Sequence, residues 1–313
     1  MRQHWPESAP TERAAEVKVG IGLPSAIPGA TGELVLDWAR RADGGPFSTL
    51  GVIERVVYPA YEPMVTLAAA AGATTRIRLM TTIVLAPLRS AALLAKEAAS
   101  LNELSGGRLT LGVGIGGRFA QGDFSAVGAS FHDRGRRMDD MLACMRRIWA
   151  GEAPSDGLEP IRLPTSPNAP EVLIGCYRPA PLRRAARWGD GFLGAPGEPA
   201  YMTAWAAARD NRALYDILLE FWKHESRSGR PRFVVGMYYG MGPNAAERAS
   251  DYIRGFYSFL GSAAEKVAAT LPTSGGAVKD TMRAFEDVGA DEIIMWPSIA
   301  DLDQLDRLAD LVG

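Results

Sequence analysis

Short apolar runs alternate with segments of helical periodicity along nearly the whole chain. Eight runs have the length and apolar character of buried strands: 17–23, 47–53, 77–85, 109–114, 171–175, 191–194, 233–239 and 292–296. Segments with helical spacing separate them: 32–42, 63–73, 91–104, 134–150, 181–188 and 204–224, with a final helix after residue 298. Strands that alternate with helices build parallel sheets, so eight such units predict a closed (β/α)8 TIM barrel.

Two connections between the predicted elements are long. Residues 116–133 follow the fourth strand, and residues 149–170, rich in Pro, Ser and Gly, precede the fifth. The loops after barrel strands build the active site, so we expect the first insertion to be a lid and the second a linker on the opposite face. We also expect residues 1–16, which are polar, to form a flexible leader, and residues 17–313 a single domain.

Composition and charge exclude several kinds of partner. Among the 313 residues, 34 Lys and Arg are balanced by 36 Asp and Glu, which leaves a net charge of -2. That balance favours neither nucleic acid nor an anionic membrane as a partner. The two cysteines cannot form a disulfide framework, and no apolar stretch approaches the roughly 18 residues of a membrane span. We therefore expect a reduced, cytoplasmic protein.

The stretch LTLGVGIGG, residues 109–117, contains a G-x-G-x-x-G pattern at Gly112, Gly114 and Gly117. A dinucleotide-binding turn needs these glycines at the start of a helix, with an acidic residue about 20 positions later at the end of a second strand. The segment after Gly117 is a poor helix former, and the acids at that distance lie inside a predicted helix. We expect instead that these glycines end the fourth strand, and that the missing side chains at Gly114, Gly116 and Gly117 leave room for a flat ring to approach the backbone.

Side chains for metal binding or covalent catalysis are scarce. The three histidines, His4, His132 and His224, show no ligand spacing, so we predict no metal site. No lysine falls at a predicted strand end, where a Schiff base would need it, and no G-x-S-x-G motif is present. Strand ends that carry glycines, hydroxyls and apolar residues favour an organic cofactor that supplies the chemistry.

Four ordered blocks of this sequence resemble the luciferase-like flavin-dependent oxidoreductases, the family of bacterial luciferase and of the coenzyme F420-dependent enzymes. The blocks are residues 47–117, beginning FSTLGVIERVV, then FHDRGRRMDDMLACMRRIW, LIGCYRPAPLRRAARWGDGFL and AFEDVGADEIIMWP. The resemblance extends from residue 17 to residue 312. It implies a TIM barrel that uses a reduced flavin or deazaflavin, FMN or F420, as an oxidoreductase or monooxygenase acting on a small hydrophobic substrate.

The resemblance implies catalytic roles for Glu54 and Arg55, which follow the second strand. The family places an acidic residue and usually a histidine here, facing the reactive side of the flavin; Glu54 matches this pattern and Arg55 departs from it. An arginine is no base at neutral pH, but it can hold an anionic substrate, a flavin carbonyl or a developing negative charge. The alternative is an ion pair between Glu54 and Arg55 at the mouth of a loop.

Cofactor contacts are expected at further strand ends. In the third strand, residues 81–83 match a position where the family often has a bulge with a non-prolyl cis peptide bond; a plain buried strand is the alternative. The exit of the fifth strand matches the loop that holds the cofactor phosphate, where backbone N–H groups and Arg178 would bind the anion. The predicted cofactor-binding residues are Thr81, Thr82, Ile83, Gly114, Gly116, Gly175, Cys176, Tyr177, Arg178, Gly194 and Ala195.

Two positions leave the choice between FMN and F420 open. Ile115 stands where bacterial luciferase has an FMN-contacting arginine, and Glu198 stands where F420-dependent sugar phosphate dehydrogenases have a phosphate-binding lysine. Overall similarity favours the F420 branch. Aromatic residues at strand ends predict a hydrophobic substrate pocket: Tyr58, Tyr238 and Trp296.

We expect a small-molecule substrate, a homodimer and, for FMN, a separate flavin reductase as partner. A non-catalytic flavin-binding relative and a phosphate-binding barrel isomerase are the alternative functions. The first follows from Arg55 in place of the usual histidine. The second lacks a lysine or histidine at a strand end.

Overall fold

The computed structural model describes residues 16–164, 169–194 and 203–312. Over these ranges the chain forms one parallel sheet of nine strands. They are Lys18–Gly22 (β1), Thr49–Val52 (β2), Arg78–Thr81 (β3), Val84–Leu85 (β4), Leu109–Gly114 (β5), Glu171–Gly175 (β6), Gly191–Gly194 (β7), Arg232–Tyr239 (β8) and Glu292–Pro297 (β9). Strand β1 pairs with β2 and β9, and β3 pairs with β5, so the sheet closes on itself. The predicted (β/α)8 barrel is confirmed.

The third barrel position differs from the sequence prediction. One strand is predicted over residues 77–85, whereas the structure has β3 and β4 on either side of a cis peptide bond between Thr82 and Ile83. Strand β3 pairs with β2 and β5, and β4 continues the pairing with β5. The bulge with a non-prolyl cis bond that the resemblance implies is therefore confirmed, and the nine described strands occupy eight barrel positions.

Helices follow the strands on the outside of the barrel. In the described ranges they are Gly32–Gly44 (α1), Pro63–Ala73 (α2), Ala91–Leu104 (α3), Gln121–Ala126 (α4), Arg134–Trp149 (α5), Leu182–Trp188 (α6), Ala204–His224 (α7), Ala245–Phe256 (α8), Ala263–Ala269 (α9), Gly275–Asp287 (α10) and Asp303–Val312 (α11). Side-chain oxygens cap several of them; Thr31, for example, accepts a hydrogen bond from the N–H of Leu34 at 3.2 Å.

The two insertions lie at opposite faces of the barrel. The first, after β5, contains a 3-10 turn over Arg118–Ala120 and the short helix α4, so the prediction of no helix after Gly117 was wrong for residues 121–126. The second joins α5 to the start of β6 and has neither helix nor strand among its described residues. Since strands of a barrel run in one direction, the first insertion lies at the C-terminal face and the second at the N-terminal face.

The N-terminal end of the barrel interior is filled by a network of paired charges. Arg232 on β8 forms ion pairs with Glu171 on β6 and Glu292 on β9. Thr49 donates a hydrogen bond to Glu292 at 2.6 Å, and Thr110 donates one to Glu171 at 2.7 Å. Because each buried charge has a partner and further hydrogen bonds, this layer closes the bottom of the barrel without an isolated charge.

Nearer the C-terminal end, which we call the mouth, two large side chains fill the interior beside glycines. A Cβ atom at Gly22 or at Gly236 would collide with the Trp296 ring, and one at Gly114 would collide with Ile83. Residues two apart on a strand face the same side of the sheet, which puts Trp296 in line with Ile294 and Glu292. We call Ile83 and Trp296 the floor of the mouth.

The glycines of LTLGVGIGG have a different role from the one predicted. A Cβ at Gly114 would collide with Ile83, one at Gly116 would lie 2.7 Å from the Ala120 Cβ, and one at Gly117 would lie 2.8 Å from the Phe119 ring. The space expected to admit a flat ring is thus occupied by the chain itself, and that explanation of the glycines was wrong. Contact of Gly114 or Gly116 with a cofactor stays a prediction.

Replacing Gly236 by alanine should destabilise the barrel by about 1–3 kcal/mol, because the new methyl group would force the Trp296 ring out of its position. Urea unfolding measures the change. Gly72→Ala is the control: Gly72 lies in α2 with open space where its Cβ would be, and that change should be neutral or stabilising by up to about 1 kcal/mol. A Gly236→Ala variant as stable as the parent would contradict the described packing.

The turn before β3 is held by one carboxylate. Asp43, in the last turn of α1, accepts hydrogen bonds from the backbone N–H groups of Thr75, Arg76 and Ile77 at 2.8, 2.9 and 2.7 Å. Partial burial opposes the charge, but these three hydrogen bonds lower the pKa of Asp43 from its ordinary 3.8 to about 2. Ionised Asp43 therefore stabilises the folded state.

This lowered pKa gives a pH dependence of known sign. The stabilisation by Asp43 is fully present above pH 3.8 and is lost as the pH falls through about 2. Asp43→Asn should lower the free energy of unfolding at neutral pH, and the difference from the parent should shrink on acidification. Urea unfolding from neutral to acidic pH tests this. Asp37→Asn, on the exposed face of the same helix, should show little effect at any pH; a constant Asp43→Asn deficit would contradict the assignment.

Candidate active site

The mouth of the barrel brings together the site residues predicted from the sequence. Glu54, Arg55 and Tyr58 follow β2, Thr81 ends β3, and Thr82 and Ile83 separate β3 from β4. The remaining predicted residues lie at the ends of the other strands: Gly114 and Gly116 at β5, Gly175, Cys176, Tyr177 and Arg178 at β6, Gly194 at β7, Tyr238 at β8 and Trp296 at β9. Ala195, Glu198 and residues 1–15 of the predicted leader lie outside the described residues.

Glu54 is buried and held in a fixed position by two donors. Its carboxylate forms an ion pair with Arg89 and accepts a hydrogen bond from the N–H of Leu85 at 2.5 Å. Arg89 also reaches Glu62 at 2.6 Å, so one guanidinium joins two acids. Burial raises the pKa of the Glu54 carboxyl, and Arg89 and the Leu85 N–H oppose that rise.

Arg55 has a different partner and lies in an aromatic environment. Its Nε donates to Asp123 of α4 at 3.0 Å, and the side chains of both residues are almost completely buried. The guanidinium lies within 5.4 to 5.9 Å of the ring centroids of Phe119, Phe256 and Phe259. The alternative of a Glu54–Arg55 ion pair was therefore wrong, because each group pairs with a residue on another loop.

Asp123 connects the first insertion, residues 116–133, to the loop after β2. Besides Arg55, its carboxylate accepts hydrogen bonds from the backbone N–H groups of Val56 and Val57 at 2.7 and 2.9 Å. Neither Asp123 nor Arg89 was singled out by sequence reasoning, because each partner is distant along the chain. The one available signal was that both lie in connections that follow barrel strands, where site residues are expected.

The hydroxyls at the break of the third barrel strand donate to backbone carbonyls. Thr81 donates to the carbonyl of Gly112 at 2.7 Å, and Thr82 donates to the carbonyl of Val52 at 3.0 Å. Both threonines are buried. Their hydroxyls therefore fix the neighbouring strands. The Ile83 side chain, which is part of the floor, lies beside Gly114 and Gly175.

The exit of β6 combines a buried cysteine with exposed residues. Cys176 packs in the main core, and burial raises the pKa of its thiol, which disfavours the reactive thiolate. Tyr177 and Arg178, the next two residues, are exposed. The first turn of α6, which follows, contains no acidic residue. This loop can therefore receive an anionic group without charge repulsion from that helix.

A group of aromatic side chains covers the mouth. Tyr252, Phe256, Tyr257 and Phe259, from α8 and the turn after it, form what we call the aromatic cover. Phe256 lies 5.0 Å from the Tyr58 ring, and Tyr257 lies 6.0 Å from the Tyr238 ring, measured between centroids. The aromatic cover therefore packs on Tyr58 and Tyr238.

Tyr238 joins the aromatic cover to the floor. Its ring centroid lies 5.1 Å from that of Trp296, and its hydroxyl interacts with those of Tyr252 and Tyr257. Burial raises the pKa of Tyr238 well above its ordinary value, so this phenol is neutral. The three residues predicted to line a hydrophobic pocket thus lie in one apolar cluster beneath the cover.

The described ranges contain neither a cluster of metal ligands nor a membrane-spanning helix. No group of three or more His, Cys, Asp and Glu side chains there could hold a metal ion. None of the helices in these ranges is long and apolar enough to span a bilayer.

Comparison with known proteins identifies the family. Residues 17–309 match the model of the luciferase-like monooxygenases, so the chain belongs to this family. Among curated proteins, an uncharacterized protein of Mycobacterium tuberculosis is 34% identical over 151 residues, 45% of this chain and 50% of that protein. The F420-dependent glucose-6-phosphate dehydrogenase of Beutenbergia cavernae is 31% identical over 166 residues, 48% of this chain and 49% of that enzyme. The chain spans about half the length of the curated relatives it matches.

Solved structures share the fold. An F420-dependent secondary alcohol dehydrogenase superposes with a TM-score of 0.75 at 15% identity, covering 95% of this chain and 98% of that one. A monooxygenase from Streptomyces bottropensis superposes with a TM-score of 0.71 at 19% identity, covering 94% and 97%. At these identities the likeness establishes the architecture alone.

The Arg55–Asp123 pair should be strongly coupled. Arg55→Met and Asp123→Asn should each destabilise the protein by about 3 kcal/mol, because each leaves a buried charge without its partner. The double variant should lose clearly less than the sum of the two. A double-mutant cycle by urea unfolding measures this, with the exposed Arg212–Asp216 pair as the control that should show almost no coupling. Additive losses at Arg55 and Asp123 would contradict the described pairing.

Proposed function

We propose that this chain is a flavin- or deazaflavin-dependent oxidoreductase that transforms a small hydrophobic organic molecule at the mouth of its barrel. One observation carries the proposal: the two buried charged groups that follow β2 are already paired, Glu54 with Arg89 and Arg55 with Asp123. The surrounding side chains are apolar or neutral phenols. Such a site shapes and orients reactants but needs a bound group to supply the electrons. Membership of the luciferase-like family supports the choice of a flavin-type group.

The residues at the mouth fit a flavin or deazaflavin. The exposed Arg178 and the backbone N–H groups of the loop that follows β6 are donors suited to a phosphate, and the first turn of α6 carries no acidic side chain that would repel it. Ile83 and Trp296 offer an apolar floor to a planar ring. When bound, the reduced cofactor would supply a hydride or, in the FMN case, activate oxygen.

The chain's own residues would position the reactants and exclude water. Glu54, fixed by Arg89 and Leu85, presents a carboxyl group at a constant place beside the third barrel strand. Because burial raises its pKa, this carboxyl takes up a proton more readily than an exposed glutamate does. The aromatic cover packs on Tyr58 and Tyr238 and would separate a bound reactant from solvent, which would strengthen polar interactions there.

F420 is the cofactor that we propose first. The 31% identity to an F420-dependent dehydrogenase over 166 residues supports it. FMN is the second candidate, supported by the fold shared with an FMN-bound type II Baeyer-Villiger monooxygenase at a TM-score of 0.68 and 16% identity. We further propose a cytoplasmic homodimer, with a separate flavin reductase as partner if the cofactor is FMN.

Titration of the purified protein with F420 and with FMN, followed by cofactor fluorescence, tests this proposal. We expect F420 to bind more tightly than FMN. Arg178→Ala should weaken binding of the preferred cofactor about tenfold, because a charge-assisted hydrogen bond to the phosphate is lost.

Arg187→Ala is the matched control. Arg187 is an exposed arginine of α6, the helix that follows the loop of Arg178, and its guanidinium lies over the Trp188 ring, so its loss should leave cofactor affinity unchanged. If neither cofactor binds, the proposed function is wrong; if the two variants behave alike, the assignment of the phosphate site to Arg178 is wrong.

A further inference from the structure

Three buried polar atoms at the ends of β1 and β9 have no hydrogen-bond partner within the described part of the chain. They are the indole Nε1 of Trp296 and the hydroxyls of Ser25 and Ser298. The residues themselves expose only 8%, 1% and 2% of their surface. Buried polar groups in native proteins are nearly always satisfied, and an unmade hydrogen bond in the interior is costly. Unpartnered groups at a site mouth therefore point to a ligand.

The packing of Trp296 shows where its free N–H lies. Ile21 of β1 is in register with Met295 of β9, which places Trp296 beside Gly22. The Cδ1 edge of the indole occupies the place of a Gly22 side chain, and the far edge of the ring occupies that of a Gly236 side chain. Because Nε1 is bonded to Cδ1, the N–H lies toward β1, the strand that leads to Ser25. Ser298 follows Trp296 by two residues.

The surroundings of this N–H define the kind of group that can bind it. Trp296 belongs to an apolar cluster with Tyr238, Tyr252, Phe256 and Ile294. The buried charges at the mouth form two ion pairs, Glu54–Arg89 and Arg55–Asp123. A charged ligand group would therefore lack a counter-charge here. An indole N–H can only donate. The matching group is therefore a neutral oxygen acceptor on a largely apolar molecule.

We propose that Trp296 donates its indole N–H to a neutral carbonyl or hydroxyl oxygen of the substrate, with the Ser25 and Ser298 hydroxyls completing the polar edge of the pocket. The substrate class is accordingly a small, uncharged ketone, aldehyde or alcohol with an apolar body. This inference rests on the proposed function, since it places the substrate at the same mouth. A carbonyl of the cofactor ring has the same chemistry, and the experiment separates the two sources.

The indole N–H can be observed directly by NMR of protein labelled with 15N at its tryptophans. The Trp296 signal is assigned by its loss in Trp296→Phe. Cyclohexanone is the probe, and methylcyclohexane, of similar size but without an acceptor, is the matched control ligand. We expect cyclohexanone to move the Trp296 indole proton downfield and methylcyclohexane to leave it in place.

A second buried indole provides the internal control. Trp38 lies on α1, outside the barrel. Its Nε1 also has no partner among the described residues, but it should not respond to either ligand. Trp296→Phe should weaken cyclohexanone binding by about 2- to 10-fold, the effect of one neutral hydrogen bond. The shift in the parent protein does not depend on the folding of any variant.

The outcomes separate this inference from the proposed function. The titration is run on the chain alone and with F420 or FMN added. A ketone-specific shift supports the inference even if neither cofactor binds, in which case the proposed function alone fails. A cofactor that binds while cyclohexanone leaves the Trp296 signal unmoved overturns the inference alone. A shift caused by the cofactor itself, after which cyclohexanone has no effect, assigns the donor to the cofactor ring and also overturns it.

Discussion

The fit of two large side chains against interior glycines is the constraint on which the mouth of this barrel depends. Ile83 lies against Gly114 and Gly175, and Trp296 lies against Gly22 and Gly236 on the two strands beside its own. Protein interiors are close-packed, so a side chain added at one of these glycines would displace the floor. Below the floor, the Arg232 network closes the barrel with paired charges. Above it, the aromatic cover of α8 rests on Tyr238 and Trp296.

The two ion pairs at the mouth have different structural roles: the Glu54–Arg89 pair fixes one wall, and the Arg55–Asp123 pair joins separate segments. Glu54 is held by Arg89 and by the N–H of Leu85, the last residue of β4, so its carboxylate belongs to the rigid wall. Arg55, by contrast, joins three separate segments: the loop after β2, the insertion that carries Asp123, and the turn that carries Phe259. A substrate that enters beneath the cover would have to disturb the contacts of Arg55 rather than those of Glu54.

The barrel could be read from the sequence because its signals are local. Strand and helix periodicity predicted every barrel position, and Pro63–Ala73 and Ala91–Leu104 match the structure at both ends. The partners of the site residues could not be read in this way. Glu54 and Arg89 are 35 residues apart, and Arg55 and Asp123 are 68 apart, so only the folded chain brings them together. The glycines of LTLGVGIGG were located correctly, but the side chains that occupy the space beside them come from the break in the third barrel strand, Ile83, and from the first insertion, Phe119 and Ala120.

A crystal structure of the protein with its preferred cofactor bound would show directly where the cofactor lies. We expect the ring system at the mouth, in contact with Ile83 beneath the aromatic cover, and the phosphate at the loop from Gly175 to Arg178. The side chains of Ile83 and Trp296 should keep the positions described here, against their glycines. A cofactor bound elsewhere on the barrel, or one that displaces Ile83 and Trp296 from the floor, would contradict this expectation.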